Sequence, residues 1–244
     1  MIKAIPKRAR VTLLVLFLLI EAALAVSLQI TDGMTSRVLS YLLVVLAFLT
    51  SLSFVSRDKA RIATVLALAF TLLADFNLVI LNSHYDIAMS FFSITQLSYA
   101  ARLYIEADSA VYRRTQVIVR SSVSLIAIIL PIIVLGDGAD YLSIISVFYF
   151  ANLLLNTVFA FVTVRKNWIF AVGLLLFCFC DVFVGFSQLG GYISIEPGSF
   201  AWWLAHPGFN AAWVFYAPSQ VLLSLSHIET RRTPRMPSDT TAEI

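Results

Sequence analysis

Two aspartates lie inside runs of apolar residues that are long enough to cross a lipid bilayer. Asp75 lies within the run 61–82, and Asp181 lies within the run 167–189. A carboxylate in hydrocarbon costs at least about 2.5–3.5 kcal/mol, so such a residue normally faces the interior of a helix bundle and needs a partner. Both aspartates are fourteen residues from the start of their runs, which is about 21 Å along a helix. We therefore expect the two acids to meet at one depth, where a pair of carboxyls can transfer a proton.

Uncharged polar side chains accompany the aspartates. A carboxamide follows each acid by seven residues, Asn82 after Asp75 and Gln188 after Asp181, and this spacing keeps one face of an α-helix. Other runs supply further candidates for lining the same cavity and binding a substrate: Gln96, Tyr99, Asn152, Tyr216 and Gln220. Each of these alone is equally well explained by an interhelical hydrogen bond, worth about 0.6 kcal/mol. Both roles therefore stay open for them.

The remaining reactive residues define what chemistry the sequence excludes. Glu21 is a third acid within an apolar run, and it either lines the same cavity or lies near a shallow helix end. The three histidines, His84, His206 and His227, are not spaced as a set of metal ligands. Since there is also no G-x-S-x-G segment, the sequence gives no reason to expect a metal, an organic cofactor or an acyl-transfer nucleophile.

Composition predicts an integral membrane protein. Of the 244 residues, 60% are hydrophobic and only 13% are charged, whereas about a quarter of a soluble protein is charged. The mean hydropathy is +0.89. The net charge of +3 gives no reason to expect a nucleic-acid partner. Cys178 and Cys180 are two residues apart on one predicted helix, so a disulfide between them is implausible.

The apolar runs and the basic residues together predict the topology. Every lysine and arginine except Arg37 falls on one side of the membrane when eight runs are counted, and Arg102 and Arg120 belong to the connection between runs four and five. By the positive-inside rule, both termini are then cytoplasmic. We predict an all-α, polytopic membrane bundle of eight transmembrane helices over residues 1–230, followed by a disordered cytoplasmic tail at 231–244. The eight runs are 11–30, 38–55, 61–82, 86–105, 116–135, 140–164, 167–189 and 209–228.

Four short motifs resemble a known family. In chain order they are Leu-Leu-Ala-Asp75-Phe-Asn-Leu, Gln96-Leu-Ser-Tyr99, Gly173-Leu-Leu-Leu-Phe-Cys-Phe-Cys-Asp181 and Tyr216-Ala-Pro-Ser-Gln220. Together they resemble the bacterial YhhN and animal lysoplasmalogenase-like membrane family over about residues 60–225. Three positions depart from the family pattern, where Ala74 replaces Gly, Gln96 replaces His and Cys180 replaces Ser.

This resemblance implies an enzyme that hydrolyses the vinyl ether bond of a lysoplasmalogen, releasing a fatty aldehyde and a glycerophospho-base. It assigns catalysis to Asp75 and Asp181, with no cofactor. Vinyl ether cleavage needs a proton on the outer alkene carbon and then water at an oxocarbenium ion, which suits two acids that share one proton. The substrate is a lipid that arrives from the bilayer, and we expect a multi-pass protein of the bacterial plasma membrane.

Two other classes of function remain open on the sequence. The same buried acids suit a small-molecule or proton-coupled transporter, in which they bind a proton or a cation near the middle of the membrane. A lipid-binding or sensory membrane protein without catalytic activity is the third possibility. Dependence on a proton gradient distinguishes a transporter from a hydrolase, because a hydrolase works in detergent.

Overall fold

The protein is all-helical over the residues that the structure describes. This computed structural model describes residues 7–54, 58–163, 165–191 and 194–226, and none of them lies in a β-strand. The helices are α1 (Lys7–Ser27), α2 (Gly33–Ser53), α3 (Lys59–Asp75), α4 (Tyr85–Ile105), α5 (Ala110–Leu135), α6 (Tyr141–Val162), α7 (Trp168–Leu189), α8 (Phe200–Ala205) and α9 (Ala211–Leu225). A π-helix, Phe76–Leu81, continues α3, and a 3-10 turn, Gly136–Gly138, follows α5. The predicted fold class, all-α, is confirmed.

Six of the described helices are long and apolar enough to cross a membrane. They are α1, α2, α3 with its π-helix, α5, α6 and α7. Each of the eight predicted runs overlaps a helix, but two of these helices do not meet the same measure. Helix α9 is apolar and has only 15 residues. Helix α4 has 21 residues, and its polar side chains lower its mean hydropathy. Several of them, such as Gln96 and Arg102, are buried inside the bundle.

Some features of the sequence lie outside the described residues. These are His227 and the predicted tail at 231–244, together with three other residues that bear on the topology, Lys3, Arg57 and Tyr192.

Contacts between side chains show that neighbouring helices alternate in direction. The Thr71 and Thr95 hydroxyls are 3.3 Å apart, whereas Thr64, two turns earlier on α3, accepts a hydrogen bond from Arg102, two turns later on α4. These two helices are therefore antiparallel. By the same reasoning, the C-terminal ends of α3, α5 and α7 lie at one end of the bundle, which we call the Asn82 end. The opposite end, where α4, α6 and α9 finish, is the Arg102 end.

Helix pairs at the centre of the bundle pack closely. Helix α3 packs mainly on α4, and α7 packs mainly on α9, while α6 contacts α4, α5 and α7. Helices α7 and α9 approach closely at Gly173 of α7, where an added Cβ would lie 3.0 Å from Cγ of Leu223 and 3.3 Å from Cβ of Leu222. Leu223 is fully buried. The glycine therefore lets α7 and α9 approach each other where a larger residue would separate them.

Arg102 closes one end of the bundle from the inside. Its guanidinium donates to the Thr64 hydroxyl at 3.0 Å, the Ser226 hydroxyl at 2.6 Å and the Glu106 carboxylate at 3.2 Å. It also lies 3.9 Å from the centre of the Phe170 ring. Sequence analysis placed Arg102 in the connection between runs four and five, but the side chain is only 1% exposed. The reason is that these partners, on α3, α4, α7 and just after α9, replace its water.

Replacing Gly173 by alanine tests the close packing of α7 on α9. Because the new methyl group would press on the fixed Cβ of Leu222 and on the buried Leu223, we expect Gly173→Ala to lower the free energy of unfolding by about 1–3 kcal/mol. Thermal unfolding of the purified protein in detergent measures this. Gly185→Ala on the same helix is the matched control, since a Cβ there meets no atom within 4 Å. The control should gain about 0.5–1 kcal/mol from the helix preference of alanine. Equal effects of the two substitutions would contradict the packing described.

Candidate functional site

Asp75 is buried at the end of α3 and is held by a tyrosine. The side chain is 3% exposed, and its Oδ2 accepts a hydrogen bond of 2.6 Å from the Tyr216 hydroxyl of α9. Tyr216 was a candidate for substrate binding, and the structure places it directly on the carboxyl. A hydrogen bond to a buried carboxyl is stronger than one between neutral groups. It offsets part of the cost of placing the acid in an apolar bundle.

Asp181 has the same kind of partner on a different helix. Its Oδ2 accepts a hydrogen bond from the hydroxyl of Tyr149 in α6, and the aspartate is partly buried. Sequence analysis did not single out Tyr149, because it lies in an aromatic stretch that resembles an ordinary lipid-facing surface. The spacing in the sequence could have indicated Tyr149. It lies three residues before Asn152 and seven before Asn156, and therefore shares a face of α6 with them.

The two tyrosines that bind the aspartates both contact the ring of Phe177. The ring centre of Phe177 is 5.2 Å from that of Tyr216 and 6.5 Å from that of Tyr149. The two carboxyls are connected through these rings, because each tyrosine hydroxyl binds one of them. In the described part of the chain no hydrogen bond joins them directly. Instead, Asp75 of α3 accepts a hydrogen bond from Tyr216 of α9, and Asp181 of α7 accepts one from Tyr149 of α6.

The two predicted carboxamides are not brought to the aspartates. Asn82 is exposed, adopts a left-handed conformation (φ 50°) and accepts a hydrogen bond from Tyr85 at 3.2 Å. The seven-residue spacing from Asp75 assumed a continuous α-helix, but the α-helix ends at Asp75 and a six-residue π-helix follows. A π-helix has more residues per turn, so Asn82 leaves the Asp75 face. Gln188 is likewise exposed, near the end of α7.

A buried layer of amides lies one turn from the carboxyls, toward the Arg102 end. The Asn156 amide of α6 donates to the Gln96 backbone carbonyl at 2.8 Å and to its side-chain oxygen at 3.0 Å, so these residues join α6 to α4. Asn152 is turned away from this layer. Its amide donates to Ser124 of α5 at 3.3 Å and to the Phe148 carbonyl at 2.9 Å. The structure thus gives Asn152 a role in helix association.

Several polar atoms in this layer have no protein partner among the described residues. They are both side-chain polar atoms of Gln220, the Tyr99 hydroxyl, Nε2 of Gln96 and Oδ1 of Asn156. Gln220 and Tyr99 are fully buried. Buried polar atoms normally bind protein groups or ordered water, so this layer retains hydrogen-bonding capacity for water. It lies between the carboxyls and Arg102.

Glu21 belongs to a separate part of the bundle. It is 3% exposed, and both of its carboxyl oxygens are without a hydrogen-bond partner in the described structure. It lies on α1, which packs on α2 and α9. No hydrogen bond of the described residues joins it to the Asp75 or Asp181 pair.

The described residues contain no group of three or more His, Cys, Asp or Glu side chains that could hold a metal ion. Cys178 and Cys180 are buried free thiols, as predicted. The Cys178 sulfur lies 3.2 Å from the Thr157 hydroxyl, and Cys180, which directly precedes Asp181, is 5% exposed. The site is therefore built from carboxyl, phenol and amide groups.

Comparison with family models, with curated proteins and with solved structures finds no match to this chain.

A pair of substitutions tests whether the buried layer is incompletely bonded. Gln220→Met keeps the shape of the side chain and removes two polar atoms that lack protein partners, so we expect the free energy of unfolding to stay level or rise. Asn156→Leu is the contrast, because it removes two hydrogen bonds to Gln96 and should cost about 1–3 kcal/mol. Thermal unfolding in detergent compares them. A large loss of stability in Gln220→Met would mean that Gln220 is bonded in the folded protein.

Proposed function

We propose that this protein is an intramembrane hydrolase that cleaves the vinyl ether bond of a lysoplasmalogen. The observation that supports this most is the presence of two carboxyls inside an apolar bundle, the buried Asp75 and the partly buried Asp181, each hydrogen-bonded by a tyrosine whose ring contacts Phe177. The four motifs that resemble the YhhN and lysoplasmalogenase-like family contain both aspartates. In this proposal the chain spans the bacterial plasma membrane eight times, and the Arg102 end is cytoplasmic.

The reaction follows from the chemistry of the vinyl ether. One carboxyl in its acid form donates a proton to the outer alkene carbon, which leaves an oxocarbenium ion at the carbon bound to oxygen. The other carboxyl, as carboxylate, stabilises this cation and removes a proton from the water that attacks it, as paired acids do in glycosidases. The resulting hemiacetal then collapses to a fatty aldehyde and the free hydroxyl of the glycerophospho-base. One water is consumed: the donated proton stays on the alkene carbon, the attacking water returns a proton to the carboxyl pair, and the hemiacetal O–H proton passes to the departing glycerol oxygen.

The aromatic residues around the carboxyls contribute to the same step. Tyr149 and Tyr216 orient the two acids, since each hydroxyl donates to one carboxyl oxygen and leaves the other oxygen free. Phe177 lies between the tyrosines, where the faces of aromatic rings attract a positive charge. An oxocarbenium ion formed between the aspartates is therefore surrounded by groups that favour it.

The buried amide layer supports a second candidate, a proton-coupled transporter. Gln96, Tyr99 and Gln220 place unpartnered polar atoms between the carboxyls and Arg102, and a hydrated layer there would let protons reach the acids from that end. A transporter reconstituted in vesicles should move its substrate only with a proton gradient. A hydrolase should release aldehyde in detergent without one, and this comparison separates the two functions.

Conversion of each aspartate to asparagine tests the catalytic assignment. We expect Asp75→Asn and Asp181→Asn each to lower the rate of aldehyde release from a lysoplasmalogen by at least about 10²–10⁴-fold, because an amide cannot deliver or accept the proton. Thermal stability in detergent should stay level or rise, since a neutral amide is cheaper to bury than a carboxylate. Coupled aldehyde reduction measures the rate.

Asp137→Asn, at an exposed aspartate in the turn after α5, controls for loss of an acidic residue as such and should leave the maximal rate near that of the unmodified protein. If both buried substitutions lose stability and activity in proportion, the aspartates serve structure. If both retain near-normal hydrolysis, the reaction occurs elsewhere.

Removing the tyrosine hydroxyls tests their orienting role. Tyr149→Phe and Tyr216→Phe each delete one hydrogen bond to a carboxyl, which is worth about 1.5–3 kcal/mol when the acceptor is charged. We expect kcat to fall roughly 10- to 100-fold in each variant, with KM little changed, because the binding surface is retained. Tyr112→Phe, which removes a hydroxyl that bonds the Phe159 carbonyl instead, should keep its activity. Equal kcat values in all three variants would contradict the role assigned to the two hydroxyls.

A further inference from the structure

An open cavity lies at the Asn82 end of the bundle. Its volume is about 570 Å³, which is within the range of small-molecule sites. The walls come from the turn between α1 and α2, the first turns of α2, the π-helix and the start of α9. Asp32, Ser36, Arg37 and Asn210 line it together with apolar residues that include Leu78 and Trp213. The cavity therefore offers both charged and apolar surface.

Two opposite charges line this cavity without neutralising each other. Asp32 and Arg37 are five residues apart at the beginning of α2, and both are exposed. Within the described residues, neither makes a hydrogen bond or an ion pair, and Asp32 precedes α2 without capping it through its side chain. Arg37 is also the one basic residue that the sequence places on this side of the membrane. Such a pair is complementary to a ligand that carries both a negative and a positive group.

The inner wall of the cavity adjoins the carboxyl site. The Trp213 ring, which lines the cavity, packs edge-on against the Tyr216 ring at 5.2 Å, and the Tyr216 hydroxyl binds Asp75. Leu78, from the π-helix that starts directly after Asp75, lines the cavity as well. A ligand whose polar head fills the cavity would thus be separated from Asp75 by two aromatic side chains, Trp213 and Tyr216.

We propose that this cavity binds the zwitterionic head group of a single-chain phospholipid, with Arg37 on the phosphate and Asp32 on the amine. Arginine suits phosphate because its planar fork donates two parallel hydrogen bonds. The backbone N–H groups at the start of α2 add donors and a partial positive charge on the same side. Asp32 makes a purely anionic head group a poorer ligand. The proposal rests on the proposed function for the identity of the lipid, but binding of the head group does not require the vinyl ether.

Lipids that cannot be hydrolysed separate head-group binding from catalysis. Binding of 1-O-alkyl-lysophosphatidylethanolamine to the full-length protein in nanodiscs is compared with binding of two relatives that have the same alkyl chain. One is 1-O-alkylglycerol, which lacks the phosphate, and the other is 1-O-alkylglycerol-3-phosphate, which lacks the amine. Free glycerophosphoethanolamine, without a chain, is the fourth ligand.

We expect Arg37→Gln to weaken binding of both phosphate-bearing lipids at least tenfold and to leave 1-O-alkylglycerol unchanged. Asp32→Asn should weaken only the ethanolamine lipid. Arg114→Gln is the matched control, since Arg114 is an exposed arginine at the start of α5, near the opposite end of the bundle. This variant should bind all four ligands like the unmodified protein. Asp75→Asn should retain binding of the alkyl lipids, so a failure of the proposed hydrolysis would not remove this result.

Three outcomes would overturn the proposal. Unchanged binding of the phosphate-bearing lipids in Arg37→Gln would show that the phosphate lies elsewhere. Equal loss of 1-O-alkylglycerol binding would show that the substitution acts on the fold. Binding of free glycerophosphoethanolamine as tight as that of the lipid would make the cavity a site for a soluble molecule.

Discussion

The need to satisfy two carboxyls inside an apolar bundle constrains the arrangement of four helices. Water is scarce at that depth, so each acid must find its hydrogen-bond donor within the protein. Asp75 obtains it from α9 and Asp181 from α6. Because the donors are on helices other than the two that carry the acids, the Asp–Tyr bonds fix which helices face each other around Phe177. A bundle held only by apolar contacts would specify this arrangement less strictly.

The two ends of the bundle differ in how they are closed. At one end Arg102 bonds Thr64, Glu106 and Ser226 and stacks on Phe170, so residues from four helical segments converge on one cation. At the other end the π-helix and the start of α9 leave an open cavity. The bundle is therefore closed by hydrogen bonds at the Arg102 end and accessible at the Asn82 end. In the proposed binding mode a polar head group enters from the open end, while the bonded end keeps the helices in register.

The sequence predicted the features that depend on composition and period. Long apolar runs specify helices whatever their neighbours are, and equal positions within two runs predict one depth for Asp75 and Asp181. The partners of these acids could not be predicted in the same way, because Tyr149 is chosen by a neighbouring helix and not by its own. Arg102 was assigned to a connection for the same reason, since its burial depends on donors and acceptors far away in the chain.

The π-helix after Asp75 explains why the seven-residue spacing did not place Asn82 on the Asp75 face. It is also the point at which the site departs from regular α-helix. A π-helical turn adds a residue to an α-helix and is frequent at functional sites. Here it carries Asn82 away from the carboxyl and gives Leu78 and Val79 to the cavity wall. Continuing α3 as an α-helix would restore the seven-residue spacing and change which side chains face the cavity. The irregular segment thus joins the acid and the cavity through one stretch of backbone, and regular helices elsewhere hold both in place.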